Sequence, residues 1–145
     1  MNKLDQIDLA ILDTLQKDGR TTNVALARLV GLSPTPCLER VKALEAAGII
    51  TGYAAALSTE KLGLGLTVFI EITMERSSED AFRAFRDAVR TIPEIQECHM
   101  VAGGFDYLLK IHAPDMKYYQ EFVLNVLGTV ENLASVESVF VMDEL

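Results

Sequence analysis

The chain has 145 residues, of which 50% are hydrophobic and 23% charged, and its formal net charge is −8. This length allows one domain or two small ones. No stretch reaches the roughly 18 consecutive apolar residues of a membrane span, and the N-terminal segment lacks a signal-peptide cleavage site. We therefore expect a cytoplasmic protein without a membrane partner. The acidic balance argues against a generic nucleic-acid binder, for which a basic domain is expected.

The first predicted element is a helix over residues 4–18. Its apolar residues recur at helical spacing: Leu4, Ile7, Ile11, Leu12 and Leu15. Asp5 is the expected N-cap and Gly19 the expected stop. This helix would pack behind the two that follow and complete a three-helix domain.

Residues 22–48 are predicted to form two short helices joined by a tight turn. Thr22 is the expected N-cap of the first helix. Its apolar positions are Val24, Leu26, Leu29 and Val30. Gly31 follows at the point where a helix often ends in a left-handed residue, which glycine adopts without a steric penalty. Two helices joined by a glycine-containing turn form the helix-turn-helix pattern.

The second of these helices is predicted to have Ser33 as N-cap and Pro34 at its first position. Pro36 disfavours helical geometry at Thr35, which leaves a start two residues later open. One apolar stripe is predicted to pack inward: Cys37, Val41 and Leu44. The face around it carries polar, basic and small groups: Thr35, Pro36, Leu38, Glu39, Arg40, Lys42 and Ala43.

Such a face suits the major groove of DNA, because helix N-termini bind phosphates and polar side chains read base edges. The alternative is an ordinary helical hairpin packed in a core, and the pattern alone favours DNA only slightly. The charge distribution adds support. Residues 1–52 hold six basic and six acidic residues, whereas the remainder holds seven basic and 15 acidic ones. Phosphate contacts are therefore expected on the helix-turn-helix, and a single copy offers few of them.

The rest of the chain is predicted to form an α+β domain. Residues 49–57 are expected to be a strand and residues 58–65 a linker, with a domain boundary near residues 57–64. The elements predicted after it are an alternating strand from residue 66, a helix capped by Ser78, strands at 95–101 and 106–112, a helix capped by Asp115 and a strand at 136–142. This β-α-β-β-α-β order is ferredoxin-like. Two helices would cover one sheet face, and a second copy of the chain is the expected partner of the other.

No catalytic, metal or cofactor site is predicted. His99 and His112 lie in predicted strands outside any Ser/His/Asp or HExxH pattern, and a structural hydrogen bond is the simplest role for each. Cys37 and Cys98 lack the CxxC or Cys/His neighbours of a zinc site and are expected to be small core residues. We therefore expect that the protein is not an enzyme.

The segment MVAGGFDYLLK, residues 100–110, is the candidate small-molecule site. Gly103 and Gly104 at a hairpin tip would expose backbone N–H groups that could hold a carboxylate. Asp106 could accept hydrogen bonds from an ammonium group, so the segment suits an α-amino acid. The alternative is a hairpin turn that needs glycines, with Asp106 bonded locally, and the residues alone favour this alternative at least as much as the ligand site.

Two blocks of sequence resemble the leucine-responsive regulatory protein/AsnC (feast/famine) family of prokaryotic transcription regulators. The first is GLSPTPCLERVKALEAAGIITGY, in which the family's pattern falls at Leu32, Ser33, Cys37, Arg40, Val41, Leu44, Glu45, Gly48, Gly52 and Tyr53. The second is EIQECHMVAGGFDYLLK, residues 94–110. The similarity covers essentially the whole chain.

This resemblance implies a regulator that binds double-stranded DNA and responds to an amino acid held between dimers, which assemble into octamers. The expected DNA-contact residues are Ser33, Thr35, Pro36, Leu38, Glu39, Arg40 and Lys42, with Arg40 first. The effector positions implied by the resemblance are Gly103, Gly104, Asp106, Met116, Val139, Phe140 and Val141. Met100 is added as apolar lining, with leucine or another apolar amino acid as the expected effector. Gly104 stands where leucine-responsive members often have Asp.

The expected organisation is a helix-turn-helix DNA-binding domain over 1–52, a strand and linker over 53–65, and an effector-binding and oligomerisation domain over 66–145. The expected function is sequence-specific transcription regulation by a homodimer or octamer. The alternative is an amino-acid-binding oligomeric module without DNA binding, whose three-helix domain is an interaction surface.

Overall fold

The computed structural model describes residues 4–143, and the chain divides into two compact units between Ala56 and Leu57. The first unit contains three helices: α1 (Gln6–Lys17), α2 (Asn23–Val30) and α3 (Pro34–Ala46). Their shared core is small and apolar, and its buried members are Ile11, Leu26, Ala27, Cys37 and Leu44. The predicted three-helix arrangement is confirmed.

Helix α1 begins as the sequence predicts, because Asp5 and Asp8 form a capping box. The Asp8 N–H donates to Asp5 Oδ1 at 2.8 Å, and the Asp5 N–H donates to Asp8 Oδ2 at 3.1 Å. These bonds satisfy backbone donors that have no partner inside the helix. The helix ends at Lys17, and Asp18 rather than Gly19 is its C-cap.

The turn between α2 and α3 also follows the prediction. Thr22 Oγ1 accepts a hydrogen bond from the Ala25 N–H at 3.2 Å, and Gly31 is left-handed with φ 74°. The Leu32 N–H then donates to the Ala27 carbonyl at 2.9 Å, which closes the end of α2.

Two of the four apolar residues of α2 lie outside the core. Val24 is 50% exposed and Leu29 is 69% exposed. A helix of eight residues presents only one narrow face to its neighbours, and Leu26, Ala27 and Val30 occupy that face.

Helix α3 begins at Pro34, so Thr35 is helical despite the proline that follows it. Ser33 takes the N-cap position, but its side chain forms no capping hydrogen bond. Cys37 and Leu44 are buried and Val41 is half-buried, so the predicted packing stripe is confirmed.

The strand predicted for residues 49–57 is wrong. Residues 51–58 have no regular secondary structure, and residues 51–57 are all exposed. A strand needs a neighbour to pair its backbone N–H and C=O groups, and none of the described strands pairs with this segment.

The second unit is the predicted ferredoxin-like domain. Its elements are β1 (Leu66–Met74), α4 (Glu79–Val89), β2 (Ile95–Met100), β3 (Tyr107–Ala113), α5 (Met116–Asn125), a short 3₁₀ turn (Leu127–Thr129) and β4 (Leu133–Phe140). The four strands form one antiparallel sheet in the order β2-β3-β1-β4. Strand β4 begins three residues earlier than predicted, and it shifts register against β1 between Thr73 and Met74.

One face of this sheet carries the core beneath α4 and α5. Alternate residues of β1 are fully or almost fully buried: Val68, Ile70, Ile72 and Met74. Phe85 of α4 and Phe122 of α5 pack into the same cluster. Cys98 is exposed, contrary to the prediction of a core role, because β2 is an edge strand of the sheet.

Replacing Gly31 with alanine tests the left-handed turn. Gly31→Ala is expected to lower the free energy of unfolding by roughly 1–2 kcal/mol, since a Cβ strains a left-handed backbone. Chemical denaturation followed by circular dichroism measures this change. Gly19→Ala is the matched control, because Gly19 lies in the same unit and its φ is not left-handed. Equal stability of the two variants would contradict the role of the turn.

Candidate DNA and effector sites

The exposed side of α3 is the candidate DNA-contact face. Ser33, Thr35, Leu38, Glu39 and Lys42 are exposed, whereas Pro36 and Arg40 are half-buried. All seven predicted residues lie in the N-cap and first nine positions of α3, the part of a recognition helix that reaches base edges. Lys42 forms no ion pair with any residue between 4 and 143, so its charge is available to a phosphate.

Arg40 has partners inside the protein. Its Nη1 donates to Asp5 Oδ2 at 2.7 Å and to Asp8 Oδ1 at 2.8 Å. These hydrogen bonds raise the pKa of Arg40. The Asp8 backbone N–H, and after it the Arg40 guanidinium, lower the pKa of Asp5. The guanidinium that the sequence puts first among the DNA contacts therefore joins α3 to the first turn of α1.

Sequence reasoning missed this pairing because Asp5 and Asp8 lie more than 30 positions from Arg40. The signal that could have found it is the i, i+3 spacing of two carboxylates in the first turn of α1, both facing the packed helices. The first block of sequence that resembles the family contains a second hydrogen-bonded pair, Tyr53 and Glu45. Tyr53 Oη donates to Glu45 Oε1 at 2.9 Å, so these two residues tie the segment after α3 back to that helix.

The glycine turn, residues 101–106, holds Asp106 in place through its backbone and its side chain. The Asp106 N–H donates to the Ile72 carbonyl at 2.8 Å, and Asp106 Oδ2 accepts from the Met74 N–H at 2.7 Å. The Val101 N–H closes the turn on the Asp106 carbonyl at 2.9 Å. Gly103 and Gly104 are exposed and surrounded by open space. One carboxylate oxygen of Asp106 is thus committed to the sheet.

The predicted effector residues form two groups in one chain. Met100 pairs with Tyr107 and lies beside the glycine turn, level with Ile72 of β1, whereas Phe140 pairs with Val68. The two groups are therefore about 13 Å apart along the strands and about 14 Å apart across the sheet. Met116 begins α5 after the end of β3 and so belongs to the Phe140 group. A single copy does not bring the eight residues together.

The residues of the second group differ in orientation. Val139 is 48% exposed on the uncovered sheet face. Phe140 is half-buried, and its ring packs edge-on against Tyr119 with centroids 5.3 Å apart. The Val141 N–H donates to the Thr67 carbonyl at 3.0 Å.

Both histidines have structural partners, as expected. His112 Nδ1 lies 3.0 Å from Thr67 Oγ1, and His99 Nε2 lies 3.0 Å from Glu97 Oε2. Within residues 4–143 no three His, Cys, Asp or Glu residues are grouped so that they could hold a metal ion. No helix in that range is long and apolar enough to cross a membrane.

Comparison with known proteins matches both units. A family described as Lrp/AsnC ligand binding domain matches residues 67–145, and a winged helix-turn-helix DNA-binding family matches residues 4–51. The chain belongs to the Lrp/AsnC family. The leucine-responsive regulatory proteins of Klebsiella pneumoniae and Escherichia coli strain K12 are each 49% identical to it over 142 residues, or 98% of this chain and 87% of theirs.

Solved structures of the family share the whole fold. The L-Met complex of a transcriptional regulator from Neisseria meningitidis has a TM-score of 0.93 at 43% identity, over 99% of this chain and 92% of that one. Escherichia coli AsnC has a TM-score of 0.87 at 26% identity, over 98% of this chain and 94% of that one. This Lrp/AsnC member is a DNA-binding, ligand-responsive transcription regulator of the amino-acid-response type.

Substitution of Arg40 tests its structural role. Arg40→Gln is expected to lower the melting temperature at pH 7, because it leaves Asp5 and Asp8 without their cation. Since the pKa of Asp5 is lowered in the folded state, its contribution is present above the unfolded carboxyl pKa. It is lost as the pH falls through the folded pKa. The difference between wild type and variant should therefore shrink in acid, as measured by calorimetry across pH.

The control is Arg28→Gln, which removes an exposed arginine of α2 that has no ion pair among the described residues. It should leave the melting temperature unchanged. If Arg40→Gln has the melting temperature of the wild type at pH 7, the ion pairs with Asp5 and Asp8 do not stabilise the helical unit.

Proposed function

We propose that this regulator binds operator DNA through the exposed face of α3 and that an apolar amino acid, leucine or methionine, controls it. The observation that carries the DNA part is the helix-turn-helix itself, with α3 exposed along one side and with Lys42 on that side, which forms no ion pair among the described residues. The proposed domain limits are 1–52 for DNA binding, 53–65 for the connection and 66–145 for effector binding and assembly. We expect the protein to act in the cytoplasm, where it would meet its operator DNA. We also expect it to regulate transcription and not to catalyse a reaction.

The proposed DNA contacts are Ser33, Thr35, Pro36, Leu38, Glu39, Arg40 and Lys42. Lys42 takes first place among them, because Arg40 would have to give up two carboxylates to reach DNA. Glu39 is exposed and can accept a hydrogen bond only from a base that donates in the major groove, such as cytosine N4. Leu38 is 40% exposed and suits contact with a thymine methyl group.

Salt dependence of DNA binding tests the Lys42 contact. Lys42→Ala is expected to weaken binding to every duplex sequence and to reduce the slope of log K against log salt by about 0.9 for each copy that contacts a phosphate. Fluorescence anisotropy of a labelled duplex at several salt concentrations measures both.

Lys17→Ala is the matched control, since Lys17 lies on α1 and is paired with Asp13 at 2.7 Å. Its slope should equal that of the wild type. A wild-type protein with no salt-dependent DNA binding would instead favour the second candidate function, an amino-acid-binding oligomeric module without DNA.

The proposed effector site takes residues from more than one copy. Met100, Gly103, Gly104 and Asp106 would come from one end of the sheet, and Met116, Val139, Phe140 and Val141 from the other end of a neighbouring copy. The separation of these groups within one chain supports a site between subunits. The sheet face opposite the helices is uncovered, and on it the Lys110 Nζ lies 5.9 Å from the centroid of the Phe69 ring. An uncovered sheet face supports a homodimer. We propose that dimers assemble further to an octamer and that the effector shifts this equilibrium.

Methionine and leucine are chosen because the relative from Neisseria meningitidis was solved with L-Met and the curated relatives are named leucine-responsive. A thermal-melt screen of the full chain against the twenty amino acids tests the choice. At a hundredfold excess over Kd, the effector should stabilise the protein by about 2.7 kcal/mol.

Asp106→Asn is expected to abolish that stabilisation. The asparagine oxygen can still accept from the Met74 N–H, so the sheet contact is kept while the charge that would hold the ammonium group is lost. Asp115→Asn, which changes the exposed N-cap carboxylate of α5, is the control and should respond to the amino acid as the wild type does. If the amino acid stabilises Asp106→Asn as much as the wild type, the Asp106 carboxylate does not bind the effector.

A further inference from the structure

A groove of about 310 Å³ runs between the C-terminal half of α4 and the edge strand β2. We call this space the α4–β2 groove. Its walls include Arg86 of α4, Arg90 at the C-cap of that helix and Met100 of β2, and Tyr107 of β3 contributes to its lining. Of the proposed effector residues only Met100 lines it, while Gly103, Gly104 and Asp106 do not.

Tyr107 carries a hydroxyl group without a partner. The residue is 1% exposed, and its Oη forms no hydrogen bond with any residue that the structure describes. The ring is fixed by Phe85, at a centroid distance of 4.5 Å, and by Phe82 at 6.0 Å. Leaving a buried polar group unpaired costs about 1–3 kcal/mol. A ligand in the groove that accepts a hydrogen bond from this hydroxyl would remove that cost. Burial raises the pKa of the Tyr107 hydroxyl.

The described residues do not neutralise the cationic side of the groove. Arg86 forms no ion pair among residues 4–143, and Arg90 reaches Asp87 only at 3.9 Å between exposed side chains. The one acidic lining residue, Glu97, is already engaged by His99 at 3.0 Å and by Lys110 at 3.3 Å. The groove therefore attracts an anion and offers little to an ammonium group.

The groove also has an apolar floor, formed by Val89, Ile92 and Ile95. The C-terminal end of α4 points its carbonyl groups toward this region, which opposes an anion. Two of these carbonyls, of Ala88 and Val89, already accept from the N–H groups that follow the helix, at 3.2 and 3.1 Å. The guanidinium groups then decide the sign of the local field.

We propose that the α4–β2 groove binds a small organic carboxylate that has an apolar chain and no α-ammonium group, such as a branched 2-oxo acid. The carboxylate pairs with Arg86 and Arg90, the Tyr107 hydroxyl donates to the ligand, and the chain lies on the apolar floor. This site goes beyond the proposed amino-acid effector site, and it gives one sheet edge a second ligand that differs from an amino acid only at the α-carbon.

Calorimetric titration of the full chain with 4-methyl-2-oxopentanoate tests the proposal. The wild type should bind it saturably, and L-leucine should not compete for it. Arg86→Gln should weaken binding at least about tenfold, the usual loss for a hydrogen bond to a charged group. Tyr107→Phe should weaken binding without lowering the melting temperature of the free protein, because it removes an unpaired hydroxyl.

Arg83→Gln is the matched control. Arg83 lies one turn earlier on α4, pairs with Glu79 and Asp80, and does not line the groove, so its variant should bind as the wild type does. Asp106→Asn should also retain full binding, which separates this site from the effector site even if the amino-acid proposal fails. Absence of saturable binding at millimolar oxo acid would overturn the proposal. So would binding unaffected by Arg86→Gln, or binding lost in Asp106→Asn.

Discussion

The alternation of strand β1 is the constraint on which the second unit depends. Its even-numbered side chains are buried beneath the helices, and it pairs with β3 on one side and β4 on the other. A shift of one residue would send the whole core to the wrong face, so the register is strongly specified. The same register places the glycine turn at the Met74 end and Phe140 near the Leu66 end. The separation of the two effector groups is thus a consequence of how the core is packed.

The solvent-facing side of α3 has little positive charge with which to bind DNA. Arg40 is held by Asp5 and Asp8, so the side of α3 that faces solvent keeps Lys42 as a cation beside the anion Glu39. Such a surface gains little from phosphate attraction in one copy. Affinity has to come from several helix-turn-helix units acting on the same DNA, where each bound unit raises the effective concentration of the next. The weak positive charge of α3 is therefore compatible with the proposed assembly of several copies through the second unit.

The sequence was sufficient wherever a local rule decides the structure. Capping by Asp5 and Thr22, the left-handed Gly31 and the alternation of β1 each depend on a few neighbouring residues. It was insufficient where the outcome depends on a distant partner. The ion pairs of Arg40 span 35 and 32 positions, and the strand predicted for residues 49–57 has no described strand beside it. The exposure of Cys98 likewise follows from strand order, which periodicity alone does not give.

Strand β2 borders both proposed sites, the α4–β2 groove beside it and the glycine turn after it. The two sites offer different groups to a ligand. The glycine turn offers backbone donors and the fixed carboxylate of Asp106, which suit an ammonium and a carboxylate together. The α4–β2 groove offers Arg86 and the unpaired Tyr107 hydroxyl, while its only acidic residue is occupied. Met100 is exposed, lines the groove and pairs with Tyr107 beside the turn, so the two proposed sites have this one side chain in common.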